Sequence, residues 1–255
     1  MSTKKQTGRF PTETIDLPSK GLLYPEGHAL KEGKIEIKYM TAREEDILTS
    51  SNLIDKGIVI DELLRSLVQT KVNFGDIVIG DKNAIMLAAR IFGYGKEYVC
   101  DVYCPECSAK EETTFDLTTF DYKEIDDKLY SEGNKFEFIL PNSERKLEFK
   151  MLTQKDEKAI DKELARVKKT GLGVSPEITT RLRYQIISVD GDSKPETITN
   201  FINNEFFALD SKAFRAHYVE MMPDVDFESG YLCNACGWTG EIGLPITTNF
   251  FWPSR

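Results

Sequence analysis

Cys104-Pro105-Glu106-Cys107 and Cys233-Asn234-Ala235-Cys236 are the two stretches on which the reading of this chain turns. A C-x2-C turn presents two thiolates on one side of a tight loop, and two such loops facing each other complete a tetrahedral shell. Cys104, Cys107, Cys233 and Cys236 are therefore expected to ligate one structural Zn2+ per chain. A shell closed by four thiolates leaves no position for a catalytic water. Pro105 and Gly237 suit the two turns. Disulfides are opposed by the reducing compartment argued below, and an iron–sulfur cluster is the other four-thiolate occupant. The fifth cysteine, Cys100, sits in YVCDVYC, an alternating run that reads as a strand entering the first knuckle. It is expected to be a buried small hydrophobe.

The compartment follows from composition. The chain has 255 residues, 40% hydrophobic and 29% charged, which is globular and permits one large domain or two small ones. No run approaches the 18 apolar residues of a membrane span, and MSTKKQTGRFPTET at the start lacks the apolar core of a secretory signal. A cytosolic location, no membrane insertion and reduced thiols are expected. The formal charge of −9 steers the protein away from nucleic acid and anionic lipid, and towards basic or neutral protein surfaces.

Working outward from the knuckles, their wide separation suggests a duplication. IEIKYMTAREEDIL at 35–48 lies over LEFKMLTQKDEKAI at 147–160, with Glu36/Glu148, Lys38/Lys150, Thr41/Thr153 and Glu45/Glu157 identical. A constant offset then superposes Asp81 on Asp210, Ala84 on Ala213 and both cysteine pairs on each other. Each copy reads as a strand followed by a helix capped by threonine, with Glu44 or Asp156 three residues on.

The spacing predicts, in the first half, a hairpin around HALKEGKIEIKYM, helices after Thr41 and over IDELLRSLVQ, and a third helix from about Asp81, ended by Gly93 and Gly95. In the second half KFEFIL and KLEFKML flank the turn PNSERK, helices follow at 154–169, 176–188 and 211–222, and PETITNFINNEF is a short helix or loop. After each knuckle the extended segments EETTFDLTTF and EIGLPITTNFFW would form a shared small sheet. The expected fold class is α+β: two related halves, each a hairpin plus helices ending in a C-x2-C knuckle, joined through a zinc-ribbon-like four-cysteine site. The boundaries are an extended N-terminal arm at 1–28, made basic by Lys4, Lys5 and Arg9, a first half at 29–120 and a second at 121–255. The ribbon itself comes from about 97–120 plus 226–255.

Catalytic constellations do not emerge. His28 and His217 lack the context of a His–Cys or His–Ser pair, and FGYGK lacks the spacing of a phosphate-binding loop. The paired acids Glu44/Glu45, Glu111/Glu112 and Asp126/Asp127 lie in capping or solvated runs. No enzyme activity and no small-molecule substrate are expected. A zinc-ribbon nucleic-acid or transcription-factor module is the alternative reading. Its basic residues, Arg181 and Arg183 in one segment and Arg166, Lys168 and Lys169 at a helix C-terminus, form no platform interleaved with aromatics. Phe250, Phe251 and Trp252 are either a docking patch or a last strand over the ribbon core.

LPSKGLLYPEG at 17–27, MTAREEDILTSSNLI at 40–54, GDKNAIMLAARIFGYG at 80–95 and the CPEC knuckle resemble, in order and character, the baseplate hub protein family of contractile-tailed, T-even-like bacteriophages. The likeness covers most of the first 120 residues, and the second half adds CNAC and the length. It implies a non-enzymatic component of the baseplate hub or of tail assembly, with other phage baseplate or hub proteins as partners. The implied locations are the host cytoplasm during assembly and the virion tail baseplate. The zinc site rests on this sequence alone.

Overall fold

A computed structural model describes residues 11–169, 175–246 and 250–252. The first half opens with β1 (Thr12–Asp16) antiparallel to β2 (Lys34–Lys38), Ile15 opposite Ile35. The hairpin expected around 28–40 thus recruits its first strand from the predicted arm. Between the strands, residues 17–33 form consecutive turns that bury Leu17, Leu23, Tyr24 and Leu30. The described part of the arm therefore belongs to the body, while Lys4, Lys5 and Arg9 lie outside the described residues. Gly21, at φ +79°, lets two turns cross, since a Cβ there would stand 2.1 Å from the Lys31 carbonyl oxygen.

Next come α1 (Ala42–Leu48), α2 (Ser51–Asp55), α3 (Val59–Leu67) and α4 (Ile79–Tyr94). Gly95 ends α4 with φ +82°, as predicted. Gly93 does not end it: it lies inside the helix, where its missing side chain leaves room for Met40. The knuckle hairpin β3 (Glu97–Tyr103) and β4 (Lys110–Asp116) completes this half.

The second half again runs from a hairpin through helices to a hairpin, with an added strand β7 and a π turn among the helices. Strands β5 (Phe136–Ile139) and β6 (Lys146–Phe149) pair across the predicted turn, and α5 (Gln154–Lys169) follows. Helix α6 (Glu177–Gln185) stops short of the predicted 188, because the β-branched run Ile186–Val189 forms β7 on the free edge of β6. Then come α7 (Pro195–Asn200), a single π turn, α8 (Ala208–Met221), and the hairpin β8 (Glu228–Leu232) with β9 (Thr239–Gly243).

Two details recur in both halves. Thr41 N–H donates to Glu44 Oε2 at 2.9 Å, and Thr153 N–H donates to Asp156 Oδ2 at 2.9 Å. Asp81, on α4, accepts from Ser19 N–H at 2.9 Å in the turn after β1. Asp210, on α8, accepts from Asn142 N–H at 2.9 Å in the turn after β5.

The buried apolar side chains form one core running through both halves. A short seam closes the halves: Ile79 N–H donates to Leu152 O at 3.1 Å, and Gln154 N–H to Ile77 O at 2.8 Å. Gly80 lies directly on Pro223, where a Cβ would come within 1.6 Å of the carbonyl oxygen. The shared sheet expected after the knuckles does not form among the described residues. The strands make separate sheets, β1–β2, β3–β4, β5–β6–β7 and β8–β9.

Candidate metal centre

Strand β3 alternates strictly, so Tyr98, Cys100, Val102 and Cys104 face inward while Val99 and Tyr103 face out. Cys100 is buried as predicted and stands apart from the other four thiols. The chain then turns over Cys104–Ala109: Ser108 N–H donates to Cys104 O at 2.9 Å, and Cys104 N–H to Ala109 O at 2.9 Å. The second knuckle makes the same two bonds at the same lengths, Gly237 N–H to Cys233 O and Cys233 N–H to Trp238 O. Ser108 (φ +59°) and Gly237 (φ +75°) occupy matching left-handed positions, the first against the preference of an L residue.

These two turns face each other. Cys104 Sγ lies 3.7 Å from Cys236 Sγ, Cys107 Sγ lies 3.7 Å from Cys233 Sγ, and all four ligand atoms fall within 4.8 Å of one another. A tetrahedron with zinc–sulfur bonds of about 2.3 Å has sulfur–sulfur edges of about 3.8 Å. The set of donors and their spacing therefore fit a tetrahedral thiophilic ion. Cys104 and Cys233 are buried, whereas Cys107 and Cys236 lie on the rim.

The clustered thiols perturb one another's protonation. Burial raises the Cys233 thiol, but the N–H groups of Cys236 and Ala235 and the thiols of Cys104 and Cys236 bring it down to about 7. The N–H of Trp238 favours a Cys236 thiolate, yet burial and the sulfurs of Cys107, Cys233 and Cys104 push that group up to about 12. A bound thiophilic ion would be held by Cys104, Cys107, Cys233 and Cys236 as thiolates, its charge standing in for their protons.

Glu111, expected in a capping or solvated run, is instead engaged. From β4 its carboxylate crosses to the other half, accepting from Asn234 N–H at 3.0 Å, Asn234 Nδ2 at 3.2 Å and Tyr231 Oη at 3.0 Å. It approaches Cys233 Sγ to 3.9 Å. Alternation could have revealed it, because Glu111, Thr113 and Phe115 share the inward face of β4.

The aromatic triplet is used internally. Phe250 and Phe251 are buried, Phe250 meets Tyr98 edge-on, and Trp252 Nε1 donates to Leu48 O at 3.1 Å. Neither an exposed patch nor a final strand is present at these three residues, which form a turn clamped on the first half. His28 stacks on Tyr24 and His217 on Phe138, with burial lowering the His217 pKa. Arg181 and Arg183 are paired with Glu157 and Glu163.

A cleft of about 790 Å³ lies between the halves, and four of its lining charges form the pairs Lys82–Asp61 and Arg181–Glu157. Among the described residues, no helix is long and apolar enough to cross a membrane.

Fold and site together define an α+β protein with a four-thiol cluster, able to hold a metal ion, where its two knuckles meet. The family described as T4 bacteriophage base plate protein matches residues 12–252, so the chain belongs to that family and is a structural component of a T4-like phage tail baseplate. No curated protein and no solved structure matches it.

Proposed function

We propose that this protein is a non-enzymatic structural or assembly component of the central hub of the baseplate, acting through contacts with other baseplate or hub proteins. The observation that carries this reading is the family match over residues 12–252, which spans both knuckles and nearly all of the described chain. The engagement of the aromatic triplet, both histidines and Arg181 and Arg183 in packing or ion pairs supports a scaffold role.

In this reading the predicted halves 29–120 and 121–255 are related, the first extended by β1 and the turns before residue 29. Cys104, Cys107, Cys233 and Cys236 hold one structural Zn2+ in a ribbon built from about 97–120 and 226–255. The ion supplies charge to stabilise four thiolates and thereby ties the halves. The protein's side of the arrangement is the pair of matching turns, with Glu111 bracing one knuckle against the other. An amber mutation in the gene tests the hub assignment: the infected cell should accumulate heads but tails with defective hubs. Normal infectious tails would refute it.

A further inference from the structure

The seam between the halves uses one edge from each. The first half contributes Ile77–Gly80, where α4 begins, and the second contributes Leu152–Gln154, where α5 begins. Val78 and Thr153 form an antiparallel bridge at its centre, and Val78 is only 3% exposed.

By the alignment of the halves, each edge has a counterpart. Phe206–Leu209, leading into α8, matches Ile77–Gly80, just as Asp210 matches Asp81. Met40–Ala42, leading into α1, matches Leu152–Gln154, just as Thr41 matches Thr153. Among the described residues no backbone hydrogen bond joins these two counterparts. Phe207 is 63% exposed and Leu209 68%, and Ala208 and Ala42 are exposed too. The four groups matching the seam's hydrogen bonds, Ala208 N–H, Phe206 C=O, Met40 C=O and Ala42 N–H, bond to nothing among the described residues. One chain thus carries both sides of an unmade seam, with donors and acceptors in matching order, although Leu209 stands where the seam has Gly80, so a docked copy cannot approach there as closely as Pro223 approaches Gly80.

We infer that the protein associates head to tail with further copies of itself, the Phe206–Leu209 edge of one chain docking on the Met40–Ala42 edge of the next. The inference rests on the two-halves reading proposed above. The occupant of the exposed edge is argued from the chain's own seam, in which the equivalent residues are covered by the equivalent partner. Such a contact joins different surfaces, so it closes into a ring or continues as a fibre according to the rotation between copies.

Proline tests it without disturbing the helices. Ala42 and Ala208 are first helical residues, and the residues before them, Thr41 (φ −128°, ψ 174°) and Phe207 (φ −59°, ψ 148°), are extended. Proline is accepted in this setting and removes only the N–H. Sedimentation velocity on the purified, metal-loaded full chain should show larger species growing with concentration. Ala42→Pro and Ala208→Pro should each weaken association about fivefold, the effect of one lost hydrogen bond. Leu209→Glu should abolish it, and circular dichroism should report a native fold for all three. Mixing Leu209→Glu with wild type should cap growth, because each variant chain still offers its Met40–Ala42 edge. A wild-type chain that stays monomeric throughout overturns the inference, and so does association that Leu209→Glu leaves unchanged. Either result stands apart from the amber phenotype, so loss of this contact and loss of the hub assignment are told apart.

Discussion

Glu111 belongs to the first knuckle's hairpin but accepts its hydrogen bonds from the second, so one side chain spans the junction that the metal would occupy. Asn234 is exposed and can turn to water, but Tyr231 is buried and cannot do so at no cost; its hydroxyl pKa is raised by burial and by the bond to Glu111. Glu111→Ala should therefore lower stability by about 2 kcal/mol, the loss typical of hydrogen bonds to a charged acceptor. Thermal melts should show a drop of about 5 °C, and Glu111→Gln should recover part of it. At this scale the sequence displayed the four thiols plainly, because two matched spacings have one dominant chemical meaning. Glu111 was hidden by its neighbour Glu112. A pair of acids looks solvated until the strand's alternation separates the inward side chain from the outward one.

The helix starts show how much of an element can be read locally. Thr41 and Thr153 marked the starts of α1 and α5, since a capping carboxylate three residues on is a short-range signal. Burial raises the Glu44 pKa, but hydrogen bonds from Lys38 and Thr41 outweigh it and hold the group below the usual carboxylate range. A carboxylate depressed in the folded state stabilises above its unfolded pKa, about 4.3 for glutamate, and loses that contribution as pH falls through the lower folded value. Glu44→Gln should thus melt about 4 °C below wild type at neutral pH, and the gap should narrow steadily below about pH 4. Differential scanning calorimetry between pH 7 and pH 2.5 checks this, and a gap that widens in acid would contradict it. Elements whose identity depends on distant partners were less legible. The pairing of β2 with β1 skips seventeen turn residues between Asp16 and Lys34, and β7 is a strand because β6 offers it a free edge.

Across the whole molecule, two lobes share one core and meet at a seam, a thiol cluster and an aromatic clamp. The repeat proposed above rests on sparse identities. The seam was not legible in the sequence, since it joins backbone groups that carry no side-chain signature. Elemental analysis of purified protein should find one zinc per chain. Cys107→Ser or Cys233→Ser should lower the melting temperature by about 10 °C or more, given the roughly 10 kcal/mol that zinc contributes in isolated four-ligand peptides. A stable variant with unchanged zinc content would remove the metal from the architecture. The clamp carries a consequence for biosynthesis. Trp252 closes on Leu48, 204 positions earlier in the chain, and Phe250 covers Tyr98. During translation the first lobe leaves the ribosome with that face bare, and it waits, open to chaperones and to misplaced neighbours, until the distant aromatic residues have been synthesised.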